Sequence, residues 1–315
     1  GAIGFISATR VGFHDSNMIL ARQFLSRMFR NATRDIPVGL ALMEAKQRIL
    51  VGDDLRTNIQ RYSLFGDPAL YLARPPYRVE LELPDTLEAL QVVEVEGRII
   101  GPDGTPDNTY NGTGRVQVFN SAAMSQLQDL PYIQLGSPIF RGLSEVVDGR
   151  IRARFLVPKD ITYRANKGRV SVYVWGEEKG TGFGAKAGLV LEGTAEGVEI
   201  DVYGPDITFA FAGQPEFRDG DFVASSPVLR AVLEDASGIT IAGETGHEIV
   251  INVDGEENQI ATDSYSAIDG DFTRGILELP LANLEPGDHT IRLKAWDTFN
   301  NSTTAEADIR VAEDA

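Results

Sequence analysis

The chain has 315 residues, a hydrophobic fraction of 43% and a formal net charge of −17 at neutral pH. The length suits two or three domains, and the acidic balance disfavours nucleic acids and anionic membrane surfaces as partners. The sequence contains no Cys, which excludes disulfides, thiolate metal sites and a cysteine nucleophile within it. No apolar run approaches the roughly 20 residues of a membrane span, so we expect no membrane insertion.

The charge is distributed unevenly along the chain. Residues 1–76 carry ten Lys and Arg against six Asp and Glu, a balance of +4. Residues 77–315 carry nineteen against forty, a balance of −21. This break in composition, next to the proline pair after Arg74, predicts a domain boundary near residue 76.

The first predicted element is an apolar strand over residues 1–10. It interleaves bulky apolar and small residues and has no polar face, which is typical of a parallel strand buried between two layers. Because the neighbours of such a strand must come from elsewhere, we expect this sequence to be the back end of a longer protein.

Helical periodicity follows this strand. Two amphipathic helices are predicted at residues 16–30 and 36–52, the second with Pro37 in its first turn. Their expected buried residues are Met18, Ala21, Leu25, Met28 and Phe29, widened by Leu20 and Phe24, in the first helix, and Val38, Leu42, Ala45 and Ile49 in the second. A third amphipathic stretch follows at residues 55–64. A tight turn and a short apolar strand are expected at residues 65–72. This order of strand, helices and strand is the tail of an α/β domain.

From Tyr77 the hydrophobic period changes from helical to two, which predicts strands with one buried face each. The strands of the first all-β region are expected at residues 79–83, 93–99, 115–120, 151–157, 169–175 and 187–191. Residues 121–144 show no clear period and are expected to be irregular. We therefore predict an antiparallel β-sandwich over residues 77–203.

A second linker is predicted at residues 201–206. Beyond it, alternation returns at residues 229–233, 249–253, 277–281, 291–295 and 305–311. The alternation over residues 204–315 therefore predicts a compact immunoglobulin-like sandwich of the usual size for that fold.

The loop after the first strand is the candidate ligand site. In open α/β sheets, ligands bind in the crevice beyond the carboxyl ends of the strands. Thr9, Arg10, Phe13 and His14 are therefore expected to wall a pocket. A catalytic role for His14 is disfavoured, because no nucleophile accompanies it and a solvated loop histidine is the simpler interpretation.

Two acidic turns, at residues 254–257 and 269–271, could hold calcium through carboxylate oxygens. Neither fits the twelve-residue spacing of a calcium loop, and turns favour Asp-Gly for backbone reasons alone. We therefore predict neither a metal site nor a cofactor.

Several stretches resemble the gingipain-like cysteine peptidases of family C25. Residues 1–10 resemble the strand that follows the catalytic cysteine in that family. Residues 36–46 and 65–70 are similar to the next helix and to the closing Gly-Asp-Pro turn. Residues 238–239 with 246–249, and residues 284–290 running to 296–302, are similar to the C-terminal region of the family's type IX secretion sortase branch.

The resemblance implies a multidomain α/β plus all-β fold. Residues 1–76 would be the C-terminal remnant of a caspase-like α/β domain. Two antiparallel, immunoglobulin-like β-sandwiches would follow at residues 77–203 and 204–315.

The resemblance also implies a function for the parent protein. The sortase branch acts at the cell surface, associated with the outer membrane, where it removes C-terminal sorting signals from exported cargo and attaches the cargo to lipopolysaccharide. Cargo protein and lipopolysaccharide are therefore the implied partners. The family's catalytic His and Cys both precede the strand at residues 1–10, so no catalytic residue is carried over and this span alone is expected to be inactive. Only the loop from Thr9 to Asn17 corresponds to a wall of the family's substrate pocket.

Two other functions remain open. The chain could be a non-catalytic cell-surface module whose sandwiches bind glycan or protein, or an inert spacer. The opening strand disfavours both, because neither needs part of an α/β sheet.

Overall fold

The computed structural model describes residues 4–29, 36–49, 53–72, 74–127, 130–161, 167–242, 246–281 and 284–312. The chain divides into two compact units, Gly1–Arg74 (unit 1) and Pro75–Ala315 (unit 2). β-Strands predominate among the described residues. None of the described helices is long and apolar enough to cross a membrane.

Unit 1 combines three helices with a two-stranded sheet. In chain order its elements are β1 (Gly4–Ala8), α1 (His14–Phe29), α2 (Val38–Ile49), α3 (Asp53–Gln60) and β2 (Tyr62–Gly66). The amphipathic stretch predicted at residues 55–64 is helical only as far as Gln60, because residues 62–66 form β2 and pair with β1. The strand therefore precedes the turn at Asp67, and residues 70–72 do not form the strand predicted there.

The environment of β1 differs from the prediction. It pairs antiparallel with β2, from Gly4 opposite Gly66 to Ala8 opposite Tyr62. Gly4 and Phe5 are exposed and the rest of the strand is half-buried, so the prediction of a strand covered on both faces is wrong for the described residues. Phe5 instead stacks on Phe65 of β2, with ring centres 4.7 Å apart.

The helices of unit 1 pack around two small apolar clusters. All four residues of the predicted α2 stripe are buried, which confirms that prediction. In α1 the prediction is right only in part. Met28 is buried as predicted, together with Leu20 and a half-buried Phe24. The other predicted residues are exposed, namely Met18, Ala21, Leu25 and Phe29. The row that packs in α1 therefore follows i, i+4, i+8 spacing.

Unit 2 consists of strands and short turns. Its first strands are β3 (Tyr77–Glu82), β4 (Thr86–Ala89), β5 (Val92–Ile100), β6 (Gly112–Phe119), β7 (Ala123–Leu127), β8 (Leu130–Gln134), β9 (Pro138–Val147), β10 (Arg150–Leu156), β11 (Gly168–Gly176) and β12 (Gly180–Thr194). The remaining strands are β13 (Asp206–Thr208), β14 (Phe222–Val223), β15 (Val228–Glu234), β16 (Val250–Val253), β17 (Gln259–Ile260), β18 (Tyr265–Ile268), β19 (Asp271–Pro280), β20 (Gly287–Trp296) and β21 (Ser302–Val311). The predicted strands are all found, so the prediction of an all-β region is confirmed.

The first part of unit 2 is barrel-like. The strand order β10-β5-β3-β12-β11-β6-β9 closes on itself because β9 also pairs with β10. The alternating residues of these strands form one core, with Val95, Val116, Phe155 and Val172 almost completely buried. The pairing is not purely antiparallel as predicted, since β12 runs parallel to both β3 and β4.

The second part of unit 2 is a sandwich. The order β18-β19-β15-β13 forms one face, and a five-stranded sheet, β14-β21-β20-β16-β17, forms the other. Leu233 and Leu277 from one sheet share a core with Ile251 and Leu293 from the other. A single parallel pair between β9 and β18 makes the first sheet continuous with the barrel-like part.

The stretch predicted to be irregular, residues 121–144, is largely regular. It contains the β7–β8 hairpin, a two-stranded sheet of its own, and the first half of β9. Met124 and Ile133 of this hairpin are exposed. Alternation is hard to recognise in the sequence because the hairpin has no face buried in a larger core.

Candidate functional site

The segment predicted to wall a pocket, Thr9 to Asn17, begins with the loop of residues 9–13 between β1 and α1 and continues into α1. Arg61 fixes this loop. The amide nitrogen and Oγ1 of Thr9 both donate to the carbonyl oxygen of Arg61, at 2.7 and 3.0 Å. The guanidinium of Arg61 donates to the carbonyl oxygen of Val11. Its Cζ also lies 5.7 Å from the centre of the Phe13 ring, within cation–π range. Arg61 therefore brings Thr9 and Phe13 together.

The other two predicted residues, Arg10 and His14, are exposed beside this clamp. Neither side chain forms a hydrogen bond or ion pair with the described residues. Phe13 itself is 57% exposed, although Arg61 lies against its ring. The loop thus offers an aromatic face and a guanidinium to solvent, on a backbone that is held at both ends.

Unit 1 shows no catalytic machinery among its described residues. His14 is its single histidine and contacts no hydroxyl group there. A nucleophile needs a base within hydrogen-bond reach, and the base in turn needs an orienting partner. The hydroxyl of Ser7, inside β1, is instead 3.5 Å from the carbonyl oxygen of Ala8. No pair of nucleophile and base is therefore found among the described residues of unit 1.

A separate apolar groove of about 200 Å³ lies beside β1 and β2. Its lining residues are Gly4, Phe5, Ile6, Phe24, Val38, Leu64, Gly66, Asp67, Leu70 and Leu72. None of the four predicted pocket residues is among them. The groove ends at the turn after β2, where the first amides of α2 bind the chain: Val38 N donates to Leu70 O and Gly39 N to Pro68 O, both at 2.9 Å.

Among the described residues of unit 2, three aspartates lie close enough together to hold a metal ion. One carboxylate oxygen from each of Asp201, Asp235 and Asp297 lies within 4.8 Å of the others. In the acidic turns that the sequence offered as calcium sites, the carboxylates accept hydrogen bonds from other groups of the protein. Asp254, for example, accepts hydrogen bonds from His289 and from the Thr290 amide.

Arg61 and the three aspartates could not be found from sequence spacing. Arg61 is 52 residues from Thr9, and the aspartates are spread over nearly 100 residues. The only sequence signals were indirect, since Asp201 lies in the predicted linker and Asp297 follows the predicted end of a strand.

Comparison with known proteins supports the resemblance seen in the sequence. Residues 1–73 match the model of peptidase family C25. The chain is also similar to dimeric latent PorU from Porphyromonas gingivalis, with 27% sequence identity over 92% of this chain and a TM-score of 0.47. The chain spans 29% of the length of that PorU chain. No curated protein sequence matches the chain.

Two weaker structural likenesses are to α2-macroglobulins. The native protein of E. coli has 9% identity and a TM-score of 0.26, covering 80% of this chain and 18% of its own. The methylamine-reacted protein of Salmonella has 12% identity and a TM-score of 0.24, covering 80% and 17%. These scores are too low to indicate a shared arrangement. The match of residues 1–73 to the family model therefore carries the conclusion that this chain is similar to the gingipain-like cysteine peptidases of family C25.

Proposed function

We propose that this chain is the C-terminal, non-catalytic part of a gingipain-like cysteine peptidase of the type IX sortase branch. The observation that carries the proposal is the C25 match of residues 1–73 in a sequence that contains no Cys. Peptidases of this kind attack the scissile carbonyl with a cysteine thiolate while a histidine transfers the proton. The thiolate must therefore come from outside these 315 residues.

In this proposal residues 1–76 complete a caspase-like α/β domain, and the two parts of unit 2 are immunoglobulin-like supports. The surface of unit 1 favours this role, because it exposes many large apolar side chains for its size. These are Phe5, Val11, Phe13, Met18, Ile19, Leu25, Phe29, Met43, Phe65 and Tyr71. Such a surface is suited to being covered by further elements of a peptidase domain.

The loop held by Arg61 would form one wall of the substrate pocket. Phe13 supplies an apolar face for a substrate side chain, and Arg10 and His14 supply groups that can bind main-chain carbonyls or a carboxylate. The substrate would be exported cargo with a C-terminal sorting signal, processed at the cell surface and passed to lipopolysaccharide.

Kinetics of the full-length gene product test this assignment. We expect Phe13→Ala to raise KM for a peptide substrate by about tenfold, the usual effect of emptying an apolar contact. The control is Ile260→Ala, which removes an exposed apolar side chain of unit 2 and should leave KM unchanged. Equal KM values for wild type and Phe13→Ala would contradict the loop's role in substrate binding.

A non-catalytic glycan-binding function is the second candidate, and one surface of the barrel-like part favours it. Tyr173 and Phe183 lie opposite each other on β11 and β12 and are each just under half exposed. The ring centres of Trp175 and Tyr173 are 6.0 Å apart. Aromatic faces of this kind can stack on sugar rings. Binding to a glycan array would favour this function if Tyr173→Ala abolishes it. The control is Tyr203→Ala, at an exposed tyrosine outside this surface, which should retain binding. Absence of glycan binding by the wild-type chain would exclude it.

A further inference from the structure

We propose that Asp201, Asp235 and Asp297 bind a calcium ion in unit 2. Their carboxylate oxygens converge within 4.8 Å although they come from three separate stretches of chain. Asp201 precedes β13, Asp235 directly follows β15, and Asp297 directly follows β20.

The hydroxyl of Ser237 lies among the three carboxylates. Its Oγ is 2.9 Å from Asp201 Oδ2, 2.6 Å from Asp235 Oδ1 and 3.3 Å from Asp297 Oδ2. A serine hydroxyl has one hydrogen, so it can donate to only one of these oxygens. The other two carboxylates then lie close to a lone pair of the Ser237 Oγ with no hydrogen between them. A bound cation would stabilise this concentration of negative charge.

No cationic side chain compensates these carboxylates in the described part of the chain, where every ion pair involves other residues. Asp297 is completely buried. It accepts hydrogen bonds from the amides of Phe299 and Asn301 and from the Asn301 side chain, which are neutral donors. Burial also raises the pKa of Asp235 and of Asp297, as expected where negative charge is concentrated away from water.

Tyr265 provides an independent indication of a ligand. Its side chain is only 2% exposed, and its hydroxyl has no hydrogen-bond partner. Tyr265 lies opposite Leu277, but its ring runs along the strand so that the hydroxyl lies over Gly275, where a Cβ would collide with it. This is the direction of Asp235, whose amide binds the carbonyl oxygen of Thr273, two residues further along that strand. A water molecule held by the ion would satisfy the buried hydroxyl, whose isolation is otherwise costly.

The ligand atoms favour calcium over other metals. All of them are oxygens, from three carboxylates and a hydroxyl, and no His or Cys belongs to the group. Calcium accepts six to eight oxygen ligands in flexible geometry, whereas magnesium demands a near-ideal octahedron and zinc prefers nitrogen and sulfur.

The site would join the linker to both parts of unit 2. The Asn301 side chain donates to the carbonyl oxygen of Asp201 at 3.1 Å, so the loop after β20 already contacts the linker. The same loop reaches the barrel-like part, where Asn300 Nδ2 donates to Asp160 Oδ2 at 2.6 Å. An ion bound by Asp201 and Asp297 would therefore stiffen the junction between the barrel-like part and the sandwich.

The proposal can be tested on the whole chain after treatment with EDTA. Thermal unfolding should shift upward by about 5 °C with CaCl₂ at a hundredfold excess over its Kd, and much less with MgCl₂. Terbium should bind with luminescence sensitised by nearby tyrosine or tryptophan, and calcium should displace it. The proposal would be overturned if calcium does not change the melting temperature of the chain and the chain does not bind terbium. It would also be overturned if mildly acidic pH, rather than calcium, stabilises the chain, because the carboxylates would then share protons instead of binding an ion.

Variants locate the ion. Asp297→Asn and Asp201→Asn should each weaken calcium binding at least tenfold. Asp201→Asn decides the matter if Asp297→Asn does not fold, because Asp201 is only partly buried. The matched control is Asp269→Asn, which changes an acidic turn outside the cluster and should keep the full calcium shift. Equal loss in Asp269→Asn, or retention in Asp201→Asn, would contradict the assignment.

Discussion

At the scale of single residues, His289 links two loops of the sandwich through both of its ring nitrogens. Nδ1 lies 2.6 Å from Asp254 Oδ2, and Nε2 lies 2.6 Å from the carbonyl oxygen of Glu285. A carbonyl oxygen can only accept, so Nε2 carries a hydrogen, and a carboxylate partner favours a second hydrogen on Nδ1. The doubly protonated ring therefore fits this position best.

The stability of the sandwich should depend on this proton. The pKa of His289 is raised, first by the hydrogen bond to Glu285 and then by Asp254. The contact therefore stabilises the fold fully below the unfolded pKa of about 6.5 and loses its effect as pH rises through the folded value. We expect the melting temperature of wild type to exceed that of His289→Gln most near pH 6, with the difference shrinking by about pH 8.5.

The partner of His289 does not reverse this trend. Although burial opposes it, the hydrogen bonds from His289 and the Thr290 amide hold the pKa of Asp254 below its usual range. The carboxylate therefore stays charged throughout the tested interval and loses its contribution only in more acidic solution. A difference between wild type and His289→Gln that does not vary with pH would show that the contact is not protonated.

At the scale of elements, the start of α2 depends on close contact with the turn after β2. A Cβ added to Gly39 would lie 2.5 Å from Pro68 Cβ and 2.8 Å from its carbonyl oxygen, the same oxygen that accepts the Gly39 amide hydrogen bond. The glycine is needed here for space, and a side chain would force the turn away from the helix.

We therefore expect Gly39→Ala to destabilise the chain by about 1–3 kcal/mol, the usual cost of overpacking, despite the better helix propensity of alanine. Denaturant unfolding followed by circular dichroism measures this change. The control is Met43→Ala on the exposed side of α2, which should change the free energy of unfolding by less than about 0.5 kcal/mol. Equal stability of wild type and Gly39→Ala would mean that the turn can move without cost.

Hydrophobic period predicts which residues of an element can be buried, but not what covers them. It was sufficient for α2, where one apolar stripe dominates. In α1 two apolar rows compete, one through Met18 and Leu25 and one through Leu20 and Met28. Only the second row meets the other helices. The choice between the rows is made by contacts with distant parts of the chain, which no local pattern records.

The same limit applies to sheets and to the candidate sites. Alternation located the longer strands of unit 2 except β9, but not their partners. The closure through β9 and β10 and the parallel pairing of β12 were therefore not predicted. Likewise, the resemblance indicated the segment from Thr9 to Asn17, whereas Arg61 and the three clustered aspartates are brought to their sites only by tertiary folding.

At the scale of the whole molecule, the two units have different surfaces. Unit 1 is basic and exposes large apolar side chains, whereas the all-β remainder carries nearly all of the negative charge. An acidic surface resists non-specific association and keeps a protein soluble. The contrast agrees with our proposal that unit 1 would make further contacts within a peptidase domain.

Peptidase activity of the purified 315-residue chain is the most direct measurement of the proposed division of labour. The chain should not cleave peptide substrates and should not react with a thiol-directed active-site probe. The same probe should label the full-length gene product at a cysteine outside these residues and abolish its activity. Peptide cleavage by the chain alone that persists through independent purifications would contradict the proposal that the nucleophile lies elsewhere.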